Sequence, residues 1–160
     1  MRPIQSWFDE YAESHQNHTN KMFHFICVPL IFFSVIGLLV SIPTDYLDIF
    51  FQDSHPFIYN FGTLAIILCL IFYVRLSFFL FIGMTIFSAL TLLGNYYLSM
   101  VESIPLWLFS IIIFALAWIG QFYGHKVEGR KPAFFKDVQF LLIGPAWVLA
   151  FLYKKIGLKF

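Results

Sequence analysis

Charge is scarce in this chain: Asp, Glu, Lys and Arg make up only 12% of 160 residues, and the formal net charge is +1. No basic stripe lies outside the segments that flank apolar runs, which argues against nucleic acid as a partner. Cysteine is scarcer still. Cys27 and Cys69 both fall inside apolar runs and lack redox or metal-site spacing, so no disulfide framework is implied and both read as small buried side chains. The glycines form no dinucleotide fingerprint. Five histidines are too few for the HxxHH-type clusters of membrane di-iron hydroxylases and desaturases. No Ser/Gly linker, low-complexity stretch or internal repeat divides the chain, so one domain over residues 1–160 is expected. The first 22 residues are polar and amphipathic, so no cleavable signal peptide is expected, and the first apolar run serves as the insertion signal.

What is present is hydrophobic. Apolar residues make up 60% of the chain, aromatics 21%, and the mean hydropathy is +0.80. A soluble protein of this size has no core large enough for 22 Phe, whereas a bilayer accommodates them. A spanning helix needs roughly 20 mostly apolar residues. Residues 23–42, 57–74, 76–100 and 105–124 meet that need, and a shorter run over 138–153 carries Gly144-Pro145 in its middle. With four crossings, Arg2, Lys21, Arg75, Lys126, Arg130, Lys131, Lys136, Lys154, Lys155 and Lys159 all fall on one side. Asp45, Asp48, Asp53 and Glu102 fall on the other. The positive-inside rule then puts both termini in the cytoplasm, with a bacterial inner membrane and the endoplasmic reticulum both open. A fifth full crossing would strand Lys154, Lys155 and Lys159 on the acidic side, so 138–153 is expected to be re-entrant or interfacial, bent near Pro145. The expected fold is an all-α membrane protein with an N-terminal amphipathic helix, four transmembrane helices and this last helix.

Asn60 and Asn95 lie at equal depth near the outer ends of the second and third spans, which predicts a hydrogen bond between them. His55 sits in the acidic outer loop, away from the other histidines. The chemistry-bearing residues gather at the opposite, cytoplasmic face. One cluster runs from Tyr11 through His15, Asn17 and Asn20 to His24. The other holds Gln121, His125 and Glu128 at i, i+4 and i+7, one face of a helix that continues past Gly124. A turn at Gln16–Thr19, with Thr19 or Asn20 capping the first span, would bring His15 alongside His24. Three imidazoles with a carboxylate nearby suit Fe(II), Zn(II) or a similar ion. Asn20, Gln121 and Glu128 are candidates to orient the rings, and Glu128 is also counted among the candidate catalytic groups. His18 has no such setting.

Tyr11, His15, Asn17, Asn20, His24 and Pro29 resemble the N-terminal signature of the 2-hydroxy fatty acid dioxygenases, a family named for metabolism of phytosphingosine to odd-numbered fatty acids. The stretch from Trp118 through Gln121, Gly124, His125, Glu128 and Pro132 to Ala133, with Gly144-Pro145 downstream, is similar to the same family's C-terminal block. The resemblance implies an iron(II) dioxygenase of fatty acid α-oxidation, with His15, His24 and His125 as the matching histidines. It implies a 2-hydroxy fatty acid and O2 as substrates, at a membrane lipid interface. Conversion to the acid one carbon shorter plus CO2 and water releases the four electrons O2 needs, so 2-oxoglutarate and flavin are not required. Arg130, Lys131 and Lys126 are candidates to attract the substrate carboxylate. Two other functions fit the residues without the resemblance. One is a small b-type haem protein ligated by His24 and His125. The other is a non-enzymatic lipid-binding membrane protein whose histidines only pack.

Overall fold

The computed structural model describes the backbone of residues 4–44, 58–129 and 134–157, and side chains within those ranges except 134–141. Every element among the described residues is helical: α1 (Ile4–Glu13), α2 (His18–Val40), α3 (Phe61–Leu76), α4 (Phe78–Ser99), α5 (Leu106–Glu128) and α6 (Phe134–Lys155). Helices α2, α4 and α5, of 22 or 23 residues, are long and apolar enough to cross a membrane. The remaining expected span, α3, is equally apolar but has 16 residues, or about 24 Å at 1.5 Å per residue. Large apolar side chains point outward on all of these helices, among them Leu68, Leu90, Leu116 and Ile119. Such a surface suits lipid and would drive aggregation in water.

The α2–α5 contact is set by glycine. A Cβ on Gly120 would lie 2.6 Å from Cys27 Sγ, and one on Gly124 would lie 2.5 Å from Asn20 Oδ1. The four-residue spacing puts both glycines on one face, so the two backbones approach closely, as small-residue motifs allow between membrane helices. Cys27 is free and packs with Ile31 and Ala117, and Cys69 is also free.

Two local expectations are corrected. The cap of α2 is Asn17, whose Oδ1 accepts the Thr19 N–H at 2.8 Å. Asn20 lies inside the helix, and its amide is engaged elsewhere. Asn60 and Asn95 do not bond each other. Asn60 caps α3 through the Thr63 N–H, while the Asn95 amide donates to the Thr91 and Phe33 carbonyls, tying α4 to α2. Each amide finds backbone on its own or an adjacent helix before it can reach the other.

Helix α6 is 22 residues long with Pro145 inside it, longer than the run at 138–153. Tyr73 Oη donates to the Leu142 carbonyl, and Tyr153 Oη donates to the Phe79 carbonyl. Tyr73 and Phe79 flank the α3–α4 junction at Ser77. Thus a segment about 16 Å long is pinned at both ends near one end of the α3–α4 hairpin. Phe8 and Tyr11 of α1 pack into the same region, with Tyr73, Leu80, Met84, Ile143 and Ala146. The start of α2 and the end of α5 join them, so α1 and α6 close over one end of the bundle. The acidic loop carrying Asp45, Asp48, Asp53 and His55 lies outside the described residues.

Candidate metal centre

His15, His24 and His125 meet at this closed end, each with a nitrogen within 4.8 Å of the others'. Their ring centroids are 4.1 Å (His15–His24), 5.0 Å (His24–His125) and 5.5 Å (His15–His125) apart. All three are buried, with exposures of 2–4%. The turn between α1 and α2 delivers His15, the second turn of α2 delivers His24, and the last turn of α5 delivers His125.

Backbone carbonyls fix two of the tautomers. His15 Nδ1 lies against the Tyr11 carbonyl, and His24 Nδ1 lies 3.0 Å from the Asn20 carbonyl. A carbonyl only accepts, so each Nδ1 carries the proton and donates it, leaving each Nε2 with a lone pair. His15 Nε2 is buried with no hydrogen-bond partner, an orphaned acceptor of the kind a metal satisfies. Burial lowers the His15 pKa to about 4, so this imidazole is neutral at physiological pH, as a ligand must be. Imidazole nitrogens about 2.0–2.2 Å from one ion lie at most about 4.4 Å apart, so a small closure of the rings completes the set.

Glu128 is placed differently from a ligand. Its carboxylate accepts the Gln16 N–H at 3.0 Å, the Asn17 N–H at 2.9 Å and the Asn20 Nδ2–H at 3.0 Å. The Asn20 amide also donates to the Ser14 carbonyl at 3.2 Å. Glu128 therefore clamps the α1–α2 turn, and with it His15, onto the end of the helix that bears His125. Replacing Glu128 by Gln should weaken metal binding by about 10- to 100-fold, the usual cost of losing an outer-shell partner. Titration of apo-protein with Fe(II) under nitrogen checks this, and an affinity equal to wild type would show that the clamp does not position His15.

The other expected residues divide. Asn20 orients His24 through its backbone carbonyl, while its side chain serves the Glu128 clamp. Gln121 is buried one turn before His125, but no hydrogen bond among the described residues joins it to an imidazole. His18 is exposed. Arg130 and Lys131 lie outside the described residues. Two aromatic neighbours had no assigned role. Tyr11 stacks on His15 at 4.1 Å and 9°, and Trp147 lies 5.2 Å from Tyr11 and 6.0 Å from His15. Tyr11 precedes His15 by one helical turn, a signal the sequence does carry. Trp147 comes from a distant segment and leaves none.

No curated protein and no solved structure matches the chain. A family model described as 2-hydroxy-palmitic acid dioxygenase Mpo1-like matches residues 1–156, nearly the whole chain and all three histidines. The chain belongs to the Mpo1-like family of 2-hydroxy-palmitic acid dioxygenases.

Proposed function

We propose that this protein is an iron(II)-dependent dioxygenase, embedded in a membrane, that converts a 2-hydroxy fatty acid and O2 into the fatty acid one carbon shorter, CO2 and water. The observation that carries the reading is the buried His15–His24–His125 group, in a chain of this family. His15, His24 and His125 would hold iron(II), which when bound would supply the chemistry that brings a chelating acid and O2 together. The protein supplies the rest. The Tyr11 and Asn20 carbonyls hold the rings of His15 and His24 with Nε2 free. The Glu128 clamp keeps the turn in place, and the Tyr11 and Trp147 rings pack beside the histidines. Four electrons leave the acid as the hydroxyl-bearing carbon becomes a carboxyl and the old carboxyl leaves as CO2. O2 takes up all four, so no further reductant enters the balance. A haem ligated by His24 and His125 is disfavoured, because their ring centroids are only 5.0 Å apart, closer than two axial imidazoles on opposite faces of a porphyrin, and His15 packs edge-on against both.

The test is stoichiometric. Anaerobically reconstituted protein, given Fe(II), 2-hydroxypalmitate and a metered amount of O2, should release one CO2 and one shortened acid per O2 consumed. Undiminished turnover without O2, or with Zn(II) in place of iron, would end this reading.

Sidedness belongs to the same proposal. Lys21, Arg75, Lys126, Lys154 and Lys155 occur near the helix ends that gather around the histidines, whereas Glu102 follows α4 at the opposite end. We place the histidine end in the cytoplasm, with α6 lying at that interface and four helices crossing. Cysteines introduced at Glu102 and Lys155 should react with an impermeant maleimide from opposite sides of sealed vesicles. Labelling of both from one side would overturn the four-crossing topology.

A further inference from the structure

We infer that an apolar groove between α2, α4 and α6 is the seat of the substrate's acyl tail, an assignment that rests on the dioxygenase reading. The groove has a volume of about 230 Å³ and is lined by Phe25 and Pro29 of α2, Met84 and Phe87 of α4, and Pro145 and Val148 of α6. Leu149 and Leu152 complete the wall on α6. None of these residues bears a charged side chain, so the groove presents a mainly hydrocarbon surface to its occupant. Its existence follows from the sequence: Pro29 and Pro145 both face it from inside their helices, and short rigid rings cannot extend to fill the space. Beside it, Gly83 lets α6 press hard against α4, since a Cβ there would collide with Leu149 and Tyr153.

Position gives the groove its occupant. Phe25 follows His24 directly on α2, and its ring stacks on Trp147 at 5.5 Å and 14°. Trp147 in turn lies 6.0 Å from the His15 ring. Two stacked rings, Phe25 on the groove wall and Trp147 beside His15, therefore link the groove to the histidines. A molecule whose polar head sits at the imidazoles has this groove as the adjoining apolar space, and a 2-hydroxy fatty acid has that shape. Taking a methylene as about the ~30 Å³ that a water occupies in the liquid, the groove holds roughly eight of them. That is about half the tail of a palmitic-length acid, and the remainder lies among lipid chains.

The experiment is photolabelling of the full-length, iron-loaded protein in phospholipid nanodiscs, using 2-hydroxypalmitate with a diazirine in the first half of its tail. Labelled residues should cluster at Met84, Phe87, Val148 and Leu149. Excess 2-hydroxypalmitate should remove the label, and methyl palmitate at the same mole fraction should not. Val148→Trp and the more exposed Leu152→Trp should each cut labelling and raise KM about 10-fold, the scale on which a misfitted apolar pocket discriminates. Iron content in both should stay at the wild-type level, which separates a filled groove from a misfolded protein. Label spread evenly over lipid-facing residues such as Leu68 and Leu90, or displacement by methyl palmitate, would overturn the assignment. So would wild-type KM in both variants. Specific groove labelling without CO2 release would instead refute the dioxygenase reading and leave the groove as a 2-hydroxy acid site.

Discussion

Alanine in place of His15, His24 or His125 should leave the purified protein with almost no bound iron and no measurable turnover. Each substitution removes one of three candidate ligands from a group with no fourth His, Cys, Asp or Glu among the described residues to replace it. The loss should exceed the roughly 10- to 100-fold expected for an outer-shell change such as Glu128→Gln. Stability offers a second readout. Metal that binds only the folded state stabilises it by about 2.7 kcal/mol when present at 100 times its Kd. Adding Fe(II) should raise the melting temperature of wild type and leave the alanine variants where they were. His18→Ala and His55→Ala serve as controls and should keep full iron. Metal analysis of the five proteins settles the matter, and stoichiometric iron in any of the three ligand variants would remove that histidine from the site.

The site was legible in the sequence to the extent that its residues are close along the chain or one turn apart on a helix. Gln121, His125 and Glu128 share a face only if α5 runs past Gly124, and it does, to Glu128. His15 could be set beside His24 because a polar turn, and nothing hydrophobic, separates the amphipathic segment from the first span. Apolar run length located α2, α4 and α5 along the chain but not their polar ends: α2 begins at His18, ahead of the apolar run from residue 23, and α5 continues past residue 124 to Glu128. Three things were hidden. Two of the three partners of Glu128 are backbone N–H groups at Gln16 and Asn17, more than 100 residues away, and backbone donors have no signature in residue type. The Phe25–Trp147 wall joins distant segments whose aromatic content looks like any lipid-facing surface. The Asn60–Asn95 pairing failed because equal depth does not fix facing, and each amide found a carbonyl or N–H nearer by. The Gly120–Gly124 spacing was readable and went unused, although it sets the α2–α5 approach that brings His24 and His125 together.

The second large effect is positional selectivity. Turnover of 2-hydroxypalmitate should be robust, while 3-hydroxypalmitate should give no CO2 above background under the same conditions. The reason lies first in the bond that breaks. When the hydroxyl is on the carbon next to the carboxyl, cleavage between the two carbons turns the hydroxyl-bearing carbon into the new carboxyl and sends the old one out as CO2. These changes release four electrons, matching one O2. Moving the hydroxyl one carbon along leaves the carbon next to the carboxyl unoxidised, so the same cleavage cannot yield a shortened acid with that balance. Geometry adds to the chemistry: a histidine group closed in by Tyr11, Trp147 and the Glu128-clamped turn has little freedom to follow a head group enlarged by one carbon. A contact displaced by about 1 Å can itself cost 10²-fold in rate. Gas-phase detection of labelled CO2 from the two acids, each labelled at the carboxyl carbon, distinguishes the outcomes directly. Equal release from both would mean that the protein is a less discriminating decarboxylating catalyst than the family's printed substrate implies.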